Sequence, residues 1–169
     1  MSIAFITSYF NFTNSNRIKN NYIEFRRRFP HKIYTAELAI DDQDFFIEDS
    51  IKLKGTTSNI VWQKERLLNV LIDTLPNNID IIVWVDCDII FNNNNILKDI
   101  DKVLNQYPVA QCFDQVYEKS TNSTHNKISF AQDHLNEEKQ DWPAIGFSWA
   151  MRRNVIDGGL FDCDVLGNN

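Results

Sequence analysis

The run IIVWVDCDIIF, Ile81 to Phe91, is the most apolar stretch of the chain, yet it carries two acids one residue apart, Asp86 and Asp88. From Ile79 to Val85 it is apolar on both faces apart from Asp80, the pattern of a central parallel strand covered above and below. An ionised carboxylate inside an apolar core costs several kcal/mol, and two close together cost more. The acids are therefore tolerable only where the strand emerges, with a cation as partner. Residues i and i+2 of an extended segment point to one side, so Asp86 and Asp88 are expected to converge while Cys87 faces away. Two oxygen donors at a strand end suit a hard divalent ion such as Mg²⁺ or Mn²⁺. The competing reading is that two short acids cap the turn into the asparagine run Asn92 to Asn95.

Around this run, strands and helices alternate. Ile3 to Tyr9 reads as the first strand. A helix over about Asn14 to Phe29 buries the stripe Ile18, Tyr22, Phe25 and Phe29, and Pro30 stops it. Lys32 to Ile40 is a second strand, and Asp41 to Gly55 a loop with a short edge strand. A long helix is expected from Ser58 to Leu75, with Thr57, Ser58 or Asn59 as N-cap and an apolar face of Leu68, Leu71, Ile72 and Leu75. Ile96 to Tyr107 is a further helix and Val109 to Phe113 a strand. Glu118 to Asp141 reads as a long polar connection, and a connection so long without structure is usually functional. Ile145 to Ala150 is the last strand. This order predicts an α/β sandwich with a mainly parallel sheet, in a single domain spanning residues 1–169.

A net charge of −6 argues against nucleic-acid or membrane-surface binding, which need a basic face. The cluster Arg26-Arg27-Arg28 lies mainly off the buried stripe and reads as solvated. No apolar run approaches the ~20 residues of a membrane span, and MSIAFITSYF lacks the basic start of a signal peptide. Cys87, Cys112 and Cys163 have no metal-ligand spacing and are expected to be free thiols, which points to the cytoplasm. The sequons at Asn11 and Asn122 are expected to stay unmodified.

Lys64 is placed by geometry. The helix before the Ile79–Val85 strand must end near the start of that strand, so its beginning lies at the strand's carboxyl end, beside the acids. Lys64 shares a helical face with Leu68 and Leu71 and can reach the cleft, where it and the helix dipole would favour an anion. Alternatively its stem packs on the core and its amine reaches solvent. Arg66 points elsewhere and reads as a surface residue.

Five blocks occur in order: Thr7-Ser8-Tyr9, WQKERLLN (Trp62 to Asn69), VDCD (Val85 to Asp88), GFSWAMRR (Gly146 to Arg153) and GGLFD (Gly158 to Asp162). Together they resemble the metal-dependent nucleotide-sugar glycosyltransferases of the GT-A fold, over nearly the whole chain. The resemblance implies a GT-A-type, Rossmann-like α/β/α sandwich that transfers a hexose from a UDP-sugar to a hydroxyl acceptor with Mn²⁺ or Mg²⁺. It assigns catalysis and the metal to Asp88 and Asp86, with Asp86 also reaching the ribose or donor sugar. Thr7, Tyr9 and Lys64 would hold the donor nucleotide, and Gly146, Trp149 and Asp114 the sugar or acceptor. In the family the last block leads to a further acid and often a late histidine. Here Asp162 and Asp164 stand near that place and read as structural, so a piece of a longer transferase, a minimal transferase and a donor-binding module that does not transfer all remain open. A sugar nucleotidyltransferase is a further alternative, but that class carries a glycine-rich basic loop after the first strand, and SYFNFTNSN has no glycine. The connection from Lys119 to Asp141 is expected to be mobile without ligand and to order over the cleft.

Overall fold

The computed structural model describes residues 2–60, 63–119, 124–135, 142–156 and 158–160. Strand β1 (Ile3–Phe10) leads through helix α1 (Asn16–Arg28) to β2 (Ile33–Ile40) and the edge strand β3 (Ser50–Gly55). Helix α2 (Lys64–Thr74) precedes β4 (Ile81–Val85), and α3 (Ile96–Leu104) precedes β5 (Val109–Gln111). A ribbon of β6 (Gln115–Lys119) and β7 (Thr124–Ile128), the short helix α4 (Phe130–Leu135) and β8 (Ser148–Arg152) complete the described elements.

The main sheet has the order β3-β2-β1-β4-β8-β5. Strands β3, β2, β1 and β4 run parallel, while β8 lies antiparallel between β4 and β5. Alternate residues of each strand feed two cores. On one face Ala4, Ile6, Leu38 and Ile82 pack with Leu67, Leu68, Leu71 and Leu75 of α2 and its end. On the other, Phe5, Ile81, Val83 and Val85 pack with Tyr22 and Phe25 of α1 and with Ile96, Ile100 and Leu104 of α3. The fold is therefore an α/β/α sandwich with a mainly parallel, Rossmann-like sheet, and β4 is apolar on both sides because helices cover both. The chain leaves β1 toward β2 on one side and returns through α2 to β4 on the other. The β1/β4 boundary is thus a topological switch point, where open α/β sheets receive ligands at the strands' carboxyl ends.

Side-chain clamps fix the loops. Glu37, 2% exposed, accepts the N–H groups of Phe46 (2.6 Å) and Ile47 (3.0 Å) and the Ser50 hydroxyl (3.0 Å), closing the loop between β2 and β3. Arg153 donates to the carbonyls of Ile72, Leu75 and Pro76 at the end of α2, and Arg152 to Leu104 O and Asn105 Oδ1 at the end of α3. Asn69 pairs with both backbone groups of Leu160, at 2.7 and 2.9 Å. Gly159, at φ +84°, passes so close that a Cβ there would lie 2.9 Å from Asn69 Oδ1.

Three expectations are corrected. The helix expected from Ser58 begins at Lys64 and is preceded by a single 3₁₀ turn, Thr57–Asn59. The intervening Ile60, Val61 and Trp62 are β-branched or aromatic, poor residues for a first helical turn, although residues 61 and 62 lie outside those described. The last strand starts at Ser148 and not Ile145, because Phe147 adopts φ +70° and breaks the extended path. The connection from Glu118 to Asp141 is not structureless: its described residues form the end of β6, then β7 and α4. Both of its faces mix polar residues with an apolar one or two, Val116 on one and Tyr117 and Ile128 on the other, so hydrophobic alternation could not reveal it. Residues 120–123 and 136–141 lie outside the description, as do Asp162, Cys163 and Asp164.

Replacing Glu37 with Gln puts an amide NH₂ in place of one carboxylate oxygen, so that a donor faces the Phe46 or the Ile47 N–H that the oxygen accepted. It should cost about 2 kcal/mol of unfolding free energy in urea, with the far-UV spectrum unchanged.

Candidate functional site

At the carboxyl end of β4 the chain turns immediately. Residues 87 and 88 form a turn, with Ile89 N–H directed at Asp86 O (3.4 Å), so the two acids are not successive same-side residues of an extended strand. They are neighbours across a tight bend. Cys87 packs against the core on the α1/α3 side, and burial, with the charges of Asp88 and Asp86 beside it, pushes its thiol up to about 12. Cys112 is likewise raised to about 12 by burial, so neither described thiol ionises at neutral pH.

Asp86 is held from three directions. Its Oδ1 is ion-paired with Lys64 Nζ, and its Oδ2 accepts the Phe147 N–H at 3.2 Å. Its own N–H donates to Phe147 O at 2.8 Å. Phe147 presents both backbone groups to one residue through its positive φ, a costly conformation for a bulky side chain. Lys64 is the first residue of α2, with its side chain 16% exposed against 28% for Asp86. The lysine thus lies beside the acids, as the strand-helix geometry requires.

Asp88 presents surface to solvent, but the protein behind it withholds water from its carboxyl. That desolvation, followed by the Asp86 charge, raises its pKa above the ordinary aspartate value, while Lys64 and Arg17 pull in the opposite direction. A carboxylate raised in this way gains from a cation beside it. Among the described residues no group of three or more His, Cys, Asp or Glu side chains is arranged to hold a metal. The pair nevertheless fits a divalent ion that takes one or two carboxylates and fills its other positions with water and substrate phosphate, the usual habit of Mg²⁺.

The remaining sequence candidates divide. Thr7 is fully buried and its hydroxyl donates to Val85 O at 2.7 Å. It ties β1 to the end of β4 and faces no cleft, which corrects the expected nucleotide contact. Tyr9 is 3% exposed, stacked on Phe46 and edge-on to Tyr22. It forms one wall of a concavity of about 140 Å³ at the carboxyl ends of β1 and β2, with Asn11, Lys19, Gln43 and Phe46. Gly146 lies against Asp86, where a Cβ would stand 3.9 Å from Oδ2. Trp149 is the second residue of β8, in register with Trp84 one residue before the end of β4, and donates its ring N–H to Ile145 O at 2.9 Å. Asp114 is exposed where the β6–β7 ribbon begins, and its carbonyl accepts the Ser129 N–H. A larger hollow, about 660 Å³, opens at the amino end of β4. Its arginines are committed to helix carbonyls and the acids are at the other pole, so the candidate site is the carboxyl end.

Sequence reasoning missed Arg17, whose position in the first turn of α1 after a glycine-free loop gave no signal. It also missed the Phe147 backbone, since a positive φ on phenylalanine has no sequence signature.

No family model and no curated protein matches the chain. Among solved structures, that of the 4-diphosphocytidyl-2C-methyl-D-erythritol synthase of Anaerococcus prevotii aligns with 92% of this chain and 71% of its own, at 11% identity and a TM-score of 0.45. A likeness of that size carries no functional argument.

The raised pKa of Asp88 sets the sign of a pH effect. The folded state holds this proton more tightly than the unfolded chain does, so stability falls as pH rises from the ordinary aspartate range through the raised value. In EDTA, Asp88→Asn should unfold at a higher urea midpoint than the parent at neutral pH, and the gain should vanish near about pH 3. Equal midpoints at both pH values would show that the charge carries no penalty.

Proposed function

We propose that this chain binds a nucleotide-diphosphate sugar at the carboxyl ends of β1 and β4 and transfers the sugar to a hydroxyl acceptor with help from Mn²⁺ or Mg²⁺. The observation that supports this most is the ion pair of Lys64, at the start of α2, with Asp86 at the sheet's switch point, Asp88 adjoining. The diphosphate lies at the start of α2, where the helix dipole and the Lys64 ammonium favour anions. The nucleoside extends toward Tyr9 and the concavity beside it. Asp88 and Asp86 hold the cation, which when bound offsets charge on the departing diphosphate. Lys64 stabilises the same charge, and the Gly146-Phe147 segment keeps Asp86 aimed at the cleft.

A second reading, sugar nucleotidyl transfer, has one observation in its favour: Arg17, just after β1, acts on Asp88. Against it, the loop after β1 is closed on itself, with the Asn11 side chain bonded to both backbone groups of Ser15 at 2.9 Å. It offers no open cradle of amides for a triphosphate. Product analysis separates the two. UDP released from a UDP-sugar supports glycosyl transfer, whereas pyrophosphate released from a nucleoside triphosphate and a sugar phosphate supports the alternative. UDP bound with metal but no turnover leaves a donor-binding module.

UDP at about 100 times its Kd should raise the Tm by roughly 5–10 °C with Mn²⁺ present, and far less in EDTA, because an acidic chain repels an unbridged diphosphate. Asp88→Asn should abolish the metal-dependent shift while the unliganded protein still folds. A shift of the same size in EDTA would overturn the metal-bridged reading.

A further inference from the structure

The Lys64–Asp86 pair has a second consequence. Both oxygens of Asp86 are occupied, Oδ1 by the Lys64 ammonium and Oδ2 by the Phe147 N–H. Asp88 lies outside this ion pair, and the described residues supply no third acid, histidine or cysteine to complete a metal site. A divalent ion that takes Asp86 Oδ1 must occupy the place of the ammonium, since two cations at contact distance from one oxygen repel strongly in a half-buried setting.

We infer that Lys64 is the cleft's built-in counter-cation, competing with the divalent ion for Asp86 until a diphosphate draws the ammonium away. This rests on reading the cleft as a nucleotide-diphosphate site. Without nucleotide, the ammonium neutralises one of two adjoining acids and divalent ions bind weakly. A diphosphate at the start of α2 offers Lys64 new anionic oxygens within reach of the same side chain. Asp86 then becomes available, and metal and nucleotide each favour the other's binding by an equal factor. The Phe147 N–H keeps Asp86 from following the lysine, so it is the lysine that changes partner.

The test is Mn²⁺ titration by electron paramagnetic resonance on the whole chain, with and without UDP, for the parent, Lys64→Met and Lys64→Gln. A lysine that merely packs α2 in place would leave metal affinity unchanged or lower when replaced. The inference expects the opposite: without UDP, both variants bind Mn²⁺ about tenfold more tightly than the parent, the effect of removing one repelling charge. UDP then strengthens Mn²⁺ binding less in the variants than in the parent. The glutamine variant keeps a polar partner for Asp86 and serves if the methionine variant does not fold. Equal or weaker UDP-free Mn²⁺ affinity in the variants overturns the competition and leaves the donor-site reading standing. Failure of the parent and both variants to bind Mn²⁺ even with UDP overturns the donor-site reading, and the competition with it.

Discussion

Asp86 is a junction of three elements. It follows the last residue of β4, receives Lys64 from α2 and exchanges two backbone-directed hydrogen bonds with Phe147 at the entrance to β8. A half-buried carboxylate needs compensation on every side, and this one obtains it from segments 22 and 61 residues away in sequence. The compensation explains how two acids can follow a fully apolar strand without disrupting it. It also explains why Phe147 tolerates a strained backbone, since its N–H and C=O are both used at one residue.

The sheet puts this junction at the right place for chemistry. β1 and β4 are adjacent and parallel but belong to opposite windings of the chain, so the connections leaving them diverge and open a crevice. The antiparallel β8 brings a third segment, Gly146-Phe147, to the same edge from the reverse direction. Thr7 joins β1 to β4 just below the crevice, so its floor is a hydrogen-bonded unit. The acids therefore project from a rigid base while the walls come from loops.

Much of this was legible in the chain. The both-face-apolar run located β4, the acids located its exit, and the requirement that a helix return to the start of the next strand put Lys64 beside them. These inferences work because they rest on burial costs and chain connectivity, which no tertiary detail can override. Thr7 was misplaced for a different reason. Whether a residue near a strand end faces the crevice or the sheet depends on register with neighbouring strands, and one sequence does not encode its partner's register visibly. The late start of α2 and the ribbon of β6 and β7 escaped because weak helical propensity and faces of mixed polarity leave no periodic signal. The bend at Cys87 and Asp88 also replaced strand alternation with turn geometry, although the two acids remain neighbours.

The arginines closing β8 lie far from the crevice, yet they bear on it. Arg153 grips the last carbonyls of α2, and the other tip of that helix is Lys64. An eleven-residue helix is a stiff rod of about 16 Å, so its rear mount sets the aim of its front. Slack at Arg153 would be felt as a misdirected ammonium at Asp86, and damage at the back of the molecule would pass for a defect in the cleft itself.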